Sequence, residues 1–225
     1  TVSTIIAPSG SFGIAVDIPL SNPFLTSGIR NQFCAGNGIS TAACDAAALA
    51  TDPNDPNYQT VTSAMFRRAA EVGPRISDYT NTVFDYRLGL RGGITDTIDW
   101  DVYGAYGESD QVQTIKGYTL NSRVQESMLA TNTATCLSEN PECVPINWFA
   151  PSVGGISPEG AAFLTANSTV QTRTTLAQAR ATISGDFGVT SPWAAQPIGF
   201  AIGGEYRKYG ATQQSDELAR SGDLG

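Results

Sequence analysis

The chain has 225 residues, of which 15% are charged, with 23 glycines, no histidine and a net charge of −8 at pH 7. That charge repels a phosphate backbone and argues against general nucleic-acid binding. Without histidine, Ser–His–Asp and Cys–His catalysis and the commonest metal ligand are excluded, while enzymes that use carboxylates alone remain possible.

The chain begins at Thr1 with no leader, which reads as a mature or trimmed product. Thr1 to Asp17 carries a weak strand pattern. From Pro19 to about Asn81 the chain is polar and loop-like. This segment holds NPF (Asn22 to Phe24), Cys34 and Cys44, the helix-like CDAAALA, and the run DPNDPN from Asp52. A second weak strand covers Val61 to Val72 and runs into FRRAAEVGPR. DPNDPN offers oxygen ligands but lacks the spacing of a calcium loop, so it reads as a proline-stiffened turn. No metal or cofactor site is predicted.

A β-hairpin follows. Phe84, Tyr86, Leu88 and Leu90 share one parity, and Asp85, Arg87 and Arg91 share the other. After the turn-like GGITDT, Ile98, Trp100, Val102 and Tyr106 alternate with Asp99, Asp101 and Tyr103. Successive strand residues point to opposite faces, so one face is aromatic and apolar and the other is charged. Asp99 and Asp101 are expected to meet Arg87 or Arg91 across the pair, and an acid–base role for them is the weaker reading.

Lys116 to Thr175 is again long and polar, with a helix predicted from Ser122 and a second cysteine pair, Cys136 and Cys143. Ser157, Pro158 and Glu159 announce another helix, as N-cap, first helical residue and first-turn acid. A second hairpin places Ala177 to Val189 before TSPWAAQP and Phe200 to Tyr209 after it. Here Arg180, Asp186, Glu205 and Arg207 take the polar parity. The four cysteines allow three connectivities. Their proximity predicts local bridges, Cys34 with Cys44 and Cys136 with Cys143, with free buried thiols as the alternative.

Short turns alternating with very long connections are unusual in a compact soluble domain. They are ordinary in a membrane β-barrel, whose strands need only ~9–11 residues to cross. Trp100 and Trp193 lie near the short turns, and Tyr103, Tyr106, Tyr206 and Tyr209 toward the far strand ends. A soluble β-sandwich would also alternate, and scattered aromatics suit it too.

Five phrases occur in an order that resembles the barrel of TonB-dependent outer-membrane receptors of Caulobacter- and Sphingomonas-like bacteria. They are NPF, FRRAAEVGPR, YRLGLRGGITDTIDWDVYGAYGESD, CVPINWFAPSVGGISPEGAAFLT and PIGFAIGGEYRKYG. The resemblance implies an all-β fold. It would be a partial transmembrane barrel of antiparallel strands, with long extracellular loops carrying short helices. It further implies a non-enzymatic receptor in the Gram-negative outer membrane, touching lipid, driven by TonB and taking up a siderophore, oligosaccharide or similar nutrient.

No plug domain or TonB box is present, and ELARSGDLG is not a closing strand, so residues 1–225 read as one segment of such a barrel. Asp85, Arg87, Arg91, Asp99, Asp101, Arg180, Asp186, Glu205 and Arg207 would then face the lumen. Arg67, Arg68 and Arg75 are candidates for an anionic ligand, and Trp148 and Phe149 for stacking. Salt bridges and loop packing are the plainer roles for these five. A fragment with open sheet edges also invites edge-to-edge assembly into a fibril, the alternative reading.

Overall fold

The computed structural model describes residues 1–150 and 154–224, so Pro151 to Val153 and Gly225 lie outside the described residues. The strands are β1 (Val2–Ala7), β2 (Ser11–Pro19), β3 (Thr60–Arg68), β4 (Arg75–Gly93), β5 (Ile98–Lys116), β6 (Ser168–Thr190) and β7 (Pro197–Ser215). The helices are α1 (Ser27–Gly36), α2 (Thr41–Leu49), α3 (Asn121–Met128), α4 (Pro158–Leu164) and α5 (Glu217–Ser221). Five strands form one antiparallel sheet in the order β1-β4-β5-β6-β7, and β2 and β3 form a separate ribbon. The fold is thus mostly antiparallel β, and among the described residues the sheet is open, not a closed barrel.

The strands outrun their predicted limits at the ends away from the short turns. RISDYTNTV, SDQVQTIK and STVQTRTTL are rich in Thr, Val, Ile and Tyr, which favour strands. They are polar on both parities, so alternation of hydrophobicity does not reveal them. Thr1 and Asn81 exchange main-chain bonds and Thr4 reaches Asp78, so β1 runs antiparallel to β4. The connections after β1 and β5 are long and leave from one end of the sheet. Those after β4 and β6 are short and leave from the other.

The chain divides into two compact units. One comprises Thr1–Ser3, Tyr79–Gln113 and Val170–Gln214, and the other comprises Thr4–Asp78, Thr114–Thr169 and Ser215–Gly225. The second unit has a true core. Phe12, Val16 and Ile18 of β2 and Val61 of β3 point one way from the ribbon and are buried with Val124 and Met128 of α3 and Phe163 and Leu164 of α4. The weak strand pattern over Thr1 to Asp17 comprises β1 and β2, and β2 belongs to this core, paired in register with β3 from Ser11↔Arg68 to Pro19↔Thr60.

The NPF asparagine is structural. Asn22 is fully buried, accepts from Phe24 N at 2.9 Å and donates to the Met128 carbonyl at 2.9 Å. Both local disulfides form, Cys34–Cys44 joining α1 to α2 and Cys136–Cys143 closing a short loop. The predicted α4 begins as read, with the Ser157 hydroxyl accepting from Gly160 N at 3.1 Å. Asp52 and Asp55 each accept from a main-chain N–H two residues on, at 2.8 Å, which makes DPNDPN two successive Asx turns.

The last segment, Asp216 to Leu224, ties elements that are distant in sequence. Asp223 accepts from the Ser122 amide at 2.7 Å and the Ser122 hydroxyl at 2.6 Å, capping α3, which has no side-chain cap of its own. Asp216 caps α5 and also accepts from Thr169 N and the Ser168 hydroxyl. The Ala219 amide, followed by Thr169 and Ser168, holds its carboxyl below the usual carboxylate range against the opposing effect of desolvation. The depressed value makes this tie fully present above the ordinary carboxylate range of about 3.9. It is lost as pH falls through the lower folded value. Amide hydrogen exchange at Thr169 and Ala219 should therefore rise on acidification below about pH 4, and Asp216→Asn should remove that pH dependence.

Candidate functional site

The unit built from β4 to β7 has no buried residue at all. It is one layer with both faces bare, and the two faces differ. On one, Phe84 lies 5.5 Å from Tyr86 and 6.2 Å from Tyr106 between ring centroids, and Phe187 stacks on Phe200 at 4.7 Å. Leu88 is 79% exposed, Ile202 72% and Trp193 93%. Toward the ends away from the short turns this face changes character. Tyr106 donates to Glu108 at 3.0 Å, and Arg173 pairs with Glu108 at 3.3 Å and Asp110 at 3.2 Å. At ~3.4 Å per residue the apolar stretch Ile98–Tyr106 runs roughly 27 Å along its strand. At a tilt near ~40° that gives about 20 Å of height, close to the ~25 Å apolar band of membrane barrels.

The other face is polar and concave. Gly89 sits against Tyr103, whose hydroxyl accepts from Gln178 at 2.9 Å. Gln178 also donates to Glu205, which pairs with Arg207. Asp85 and Arg87 pair at 2.8 Å within their own strand. Arg180 donates to Thr182 at 3.2 Å, and Thr182 abuts Gly203. A cavity of about 620 Å³ draws its walls from all four strands, among them Val83, Asp85, Arg87, Ala105, Gln178 and Tyr209. A second, of about 600 Å³, lies nearer the turns and is lined by Arg91, Asp99, Asp101, Thr182 and Ser184. Four neighbouring strands can wall one cavity only if the sheet curves toward that face.

No protein-family model, curated protein or solved structure matches this chain.

The structure brings eight of the residues predicted to face a lumen onto this concave side. They are Asp85, Arg87, Arg91, Asp99, Asp101, Arg180, Glu205 and Arg207. Asp186, on the same strand as Arg180, accepts from the N–H of Gly188, whose φ is 69° within β6. The expected cross-strand pairing is corrected. Arg87 is taken by Asp85, and Asp99, Asp101 and Arg91 make no ion pair among the described residues. Two residues apart on one strand, Asp85 and Arg87 share a face, and this shorter reach wins over a neighbour on the next strand.

The five ligand candidates lie in the other unit, where Arg67, Arg68 and Trp148 share the lining of a cavity of about 620 Å³, and each already touches protein groups. Arg67 pairs with Glu71 at 2.9 Å, lies 5.5 Å from the Trp148 ring centroid and donates to the Asn147 carbonyl at 3.3 Å. Trp148 is 4% exposed, meets Phe12 edge-on at 5.3 Å and donates its indole N–H to Ser127 at 3.0 Å. Phe149 is half-buried against the same core. Arg68 donates to Ser9 at 3.0 Å. Arg75 donates to the Pro8 carbonyl at 3.2 Å and lies 5.4 Å over Tyr118.

Val83 and Leu176, which line the larger cavity, were not assigned to a strand by the sequence pattern. The residues just before them, Thr80 to Thr82 and Arg173 to Thr175, are polar on both parities, so the predicted strands begin only at Phe84 and Ala177. Among the described residues no group of carboxylates and cysteines is placed to hold a metal ion, and no helix is long and apolar enough to cross a membrane.

Proposed function

We propose that this chain is part of the wall of a TonB-dependent outer-membrane receptor that takes up a scarce small-molecule nutrient and performs no catalysis. The single observation that carries the proposal is the one-layer sheet with an aromatic band of limited height on one side and a polar, cavity-bearing concave face on the other. Such a sheet is unstable in water, because nothing covers its Leu, Ile and Phe side chains. Against lipid the same face is satisfied. The polar face would look into an aqueous lumen, the short turns would be periplasmic, and the disulfide-bearing connections would lie in the oxidising exterior. In that family TonB engages a region N-terminal to the barrel.

The test is lipid contact in the full-length protein in membranes isolated from its host. Bimane attached at Leu88→Cys and Ile202→Cys should be quenched by brominated lipid, and bimane at Ala105→Cys and Ala201→Cys by aqueous iodide. Equal quenching of both sets by iodide sinks the proposal.

A second reading, edge-to-edge assembly, rests on the two open edges. The edge strand β1 reads VSTIIA, uncharged and rich in β-branched residues, a composition prone to strand addition. Neighbours in the sheet alternate in direction, so β1 and β7 run the same way. The sheet therefore cannot close on itself antiparallel. Two copies could pair β1 with β1 or β7 with β7 across a twofold axis. In a membrane that arrangement would put long loops on both sides, so it belongs to an aqueous assembly. Recovery of the protein as fibres with no lipid quenching would favour it.

A further inference from the structure

The larger cavity on the concave face makes a statement about charge, and with it about cargo. The charged side chains that this face turns into it are Asp85 and Arg87. They pair with each other at 2.8 Å. The cavity therefore presents no uncompensated charge. Its exposed lining is otherwise short aliphatic (Val83, Ala105), aromatic (Tyr209) and neutral polar (Ser109, Gln178). A volume of about 620 Å³ lies inside the range of small-molecule sites, which combine an apolar lining with a few polar groups that fix orientation. The arginines that the sequence offered to an anion, Arg67, Arg68 and Arg75, are engaged elsewhere.

Resting on the receptor reading above, we infer that this cavity binds an uncharged ring compound bearing hydroxyl groups. The Tyr209 ring covers the apolar face of that compound, and Gln178 and Ser109 bond its perimeter. A neutral saccharide and an uncharged polyphenol share that chemistry. An anionic ligand does not fit, because a carboxylate there meets Asp85 as readily as Arg87.

The experiment uses the full-length protein in detergent micelles with three probes: maltotriose, catechin and trigalacturonate. Binding is read by calorimetry and by saturation transfer to the ligand protons. Maltotriose or catechin should bind, and which of the two binds identifies the source. Trigalacturonate should bind at least tenfold more weakly. Tyr209→Ala should weaken the bound probe about tenfold, as loss of an aromatic anchor does, with Tyr209→Phe restoring most of it. Asp85→Asn unpairs Arg87 and should shift preference toward trigalacturonate.

The inference is overturned if trigalacturonate binds the unaltered protein best, if neither neutral probe binds, or if Tyr209→Ala changes nothing. None of these outcomes alters the lipid-quenching pattern, so failure of the cavity inference and failure of the receptor reading are separately visible.

Discussion

Trp148→Ala is expected to cost about 3–5 kcal/mol of stability in the disulfide-bearing unit, the usual loss for truncating a buried aromatic residue. The indole is buried at the centre of that core, with Phe12 edge-on, Arg67 over its face and Ser127 on its N–H. A domain's whole stability is of order 5–15 kcal/mol, so the loss is a large fraction of it. Guanidinium unfolding followed by near-ultraviolet circular dichroism measures the change. Trp148→Phe keeps the ring contacts and loses one hydrogen bond, so about 1 kcal/mol should be missing. A loss below 1 kcal/mol for the alanine variant would mean that the ring is not a core element and would return it to the stacking role suggested by its sequence context.

Leu88→Arg and Ala201→Arg should behave oppositely, although both positions are exposed on the same sheet. Leu88 belongs to the aromatic band and Ala201 to the polar face. An arginine at the middle of a lipid-facing band costs about 2–4 kcal/mol, whereas lumen positions tolerate charge. Leu88→Arg should therefore deplete the protein from the membrane fraction and slow its folding into bilayers, and Ala201→Arg should leave both near normal. In water, substitutions at two exposed sites would each stay within about 0.5 kcal/mol. Equal behaviour of the pair would remove the lipid-facing assignment.

Both results turn on how far a local pattern reaches. The strand parity that separates Leu88 from Ala201 is a property of successive backbone units, so it is legible wherever apolar and polar residues alternate. It fails where both faces are polar, as in STVQTRTTL, and there the strands ran on past the predicted ends. Two helices went unread for a different reason. The Thr26 hydroxyl accepts from Ile29 N to open α1, but Gly28 in the first turn weakened the signal. The short α5 carried a legible signature in Asp216, Glu217, Arg220 and Gly222, hidden inside a stretch that resembled a loose tail.

By itself, the sequence determined the two long hairpins and their short turns, the segregation of charge from aromatic residues, both disulfides, and the starts of α3 and α4. Each depends on residues within about one turn or one hairpin of one another. Only the tertiary structure decided that β2 leaves the main sheet to pair with β3 and bury Phe12, Val16 and Ile18. It alone decided that Arg67 lies over Trp148 and pairs with Glu71, and that Asp85 rather than Asp101 neutralises Arg87. These outcomes rest on contacts between residues as far apart as Arg67 and Asn147, or on a choice among several partners of equal chemistry. Burial and pairing are properties of the assembled neighbourhood, and no local pattern of residues carries them.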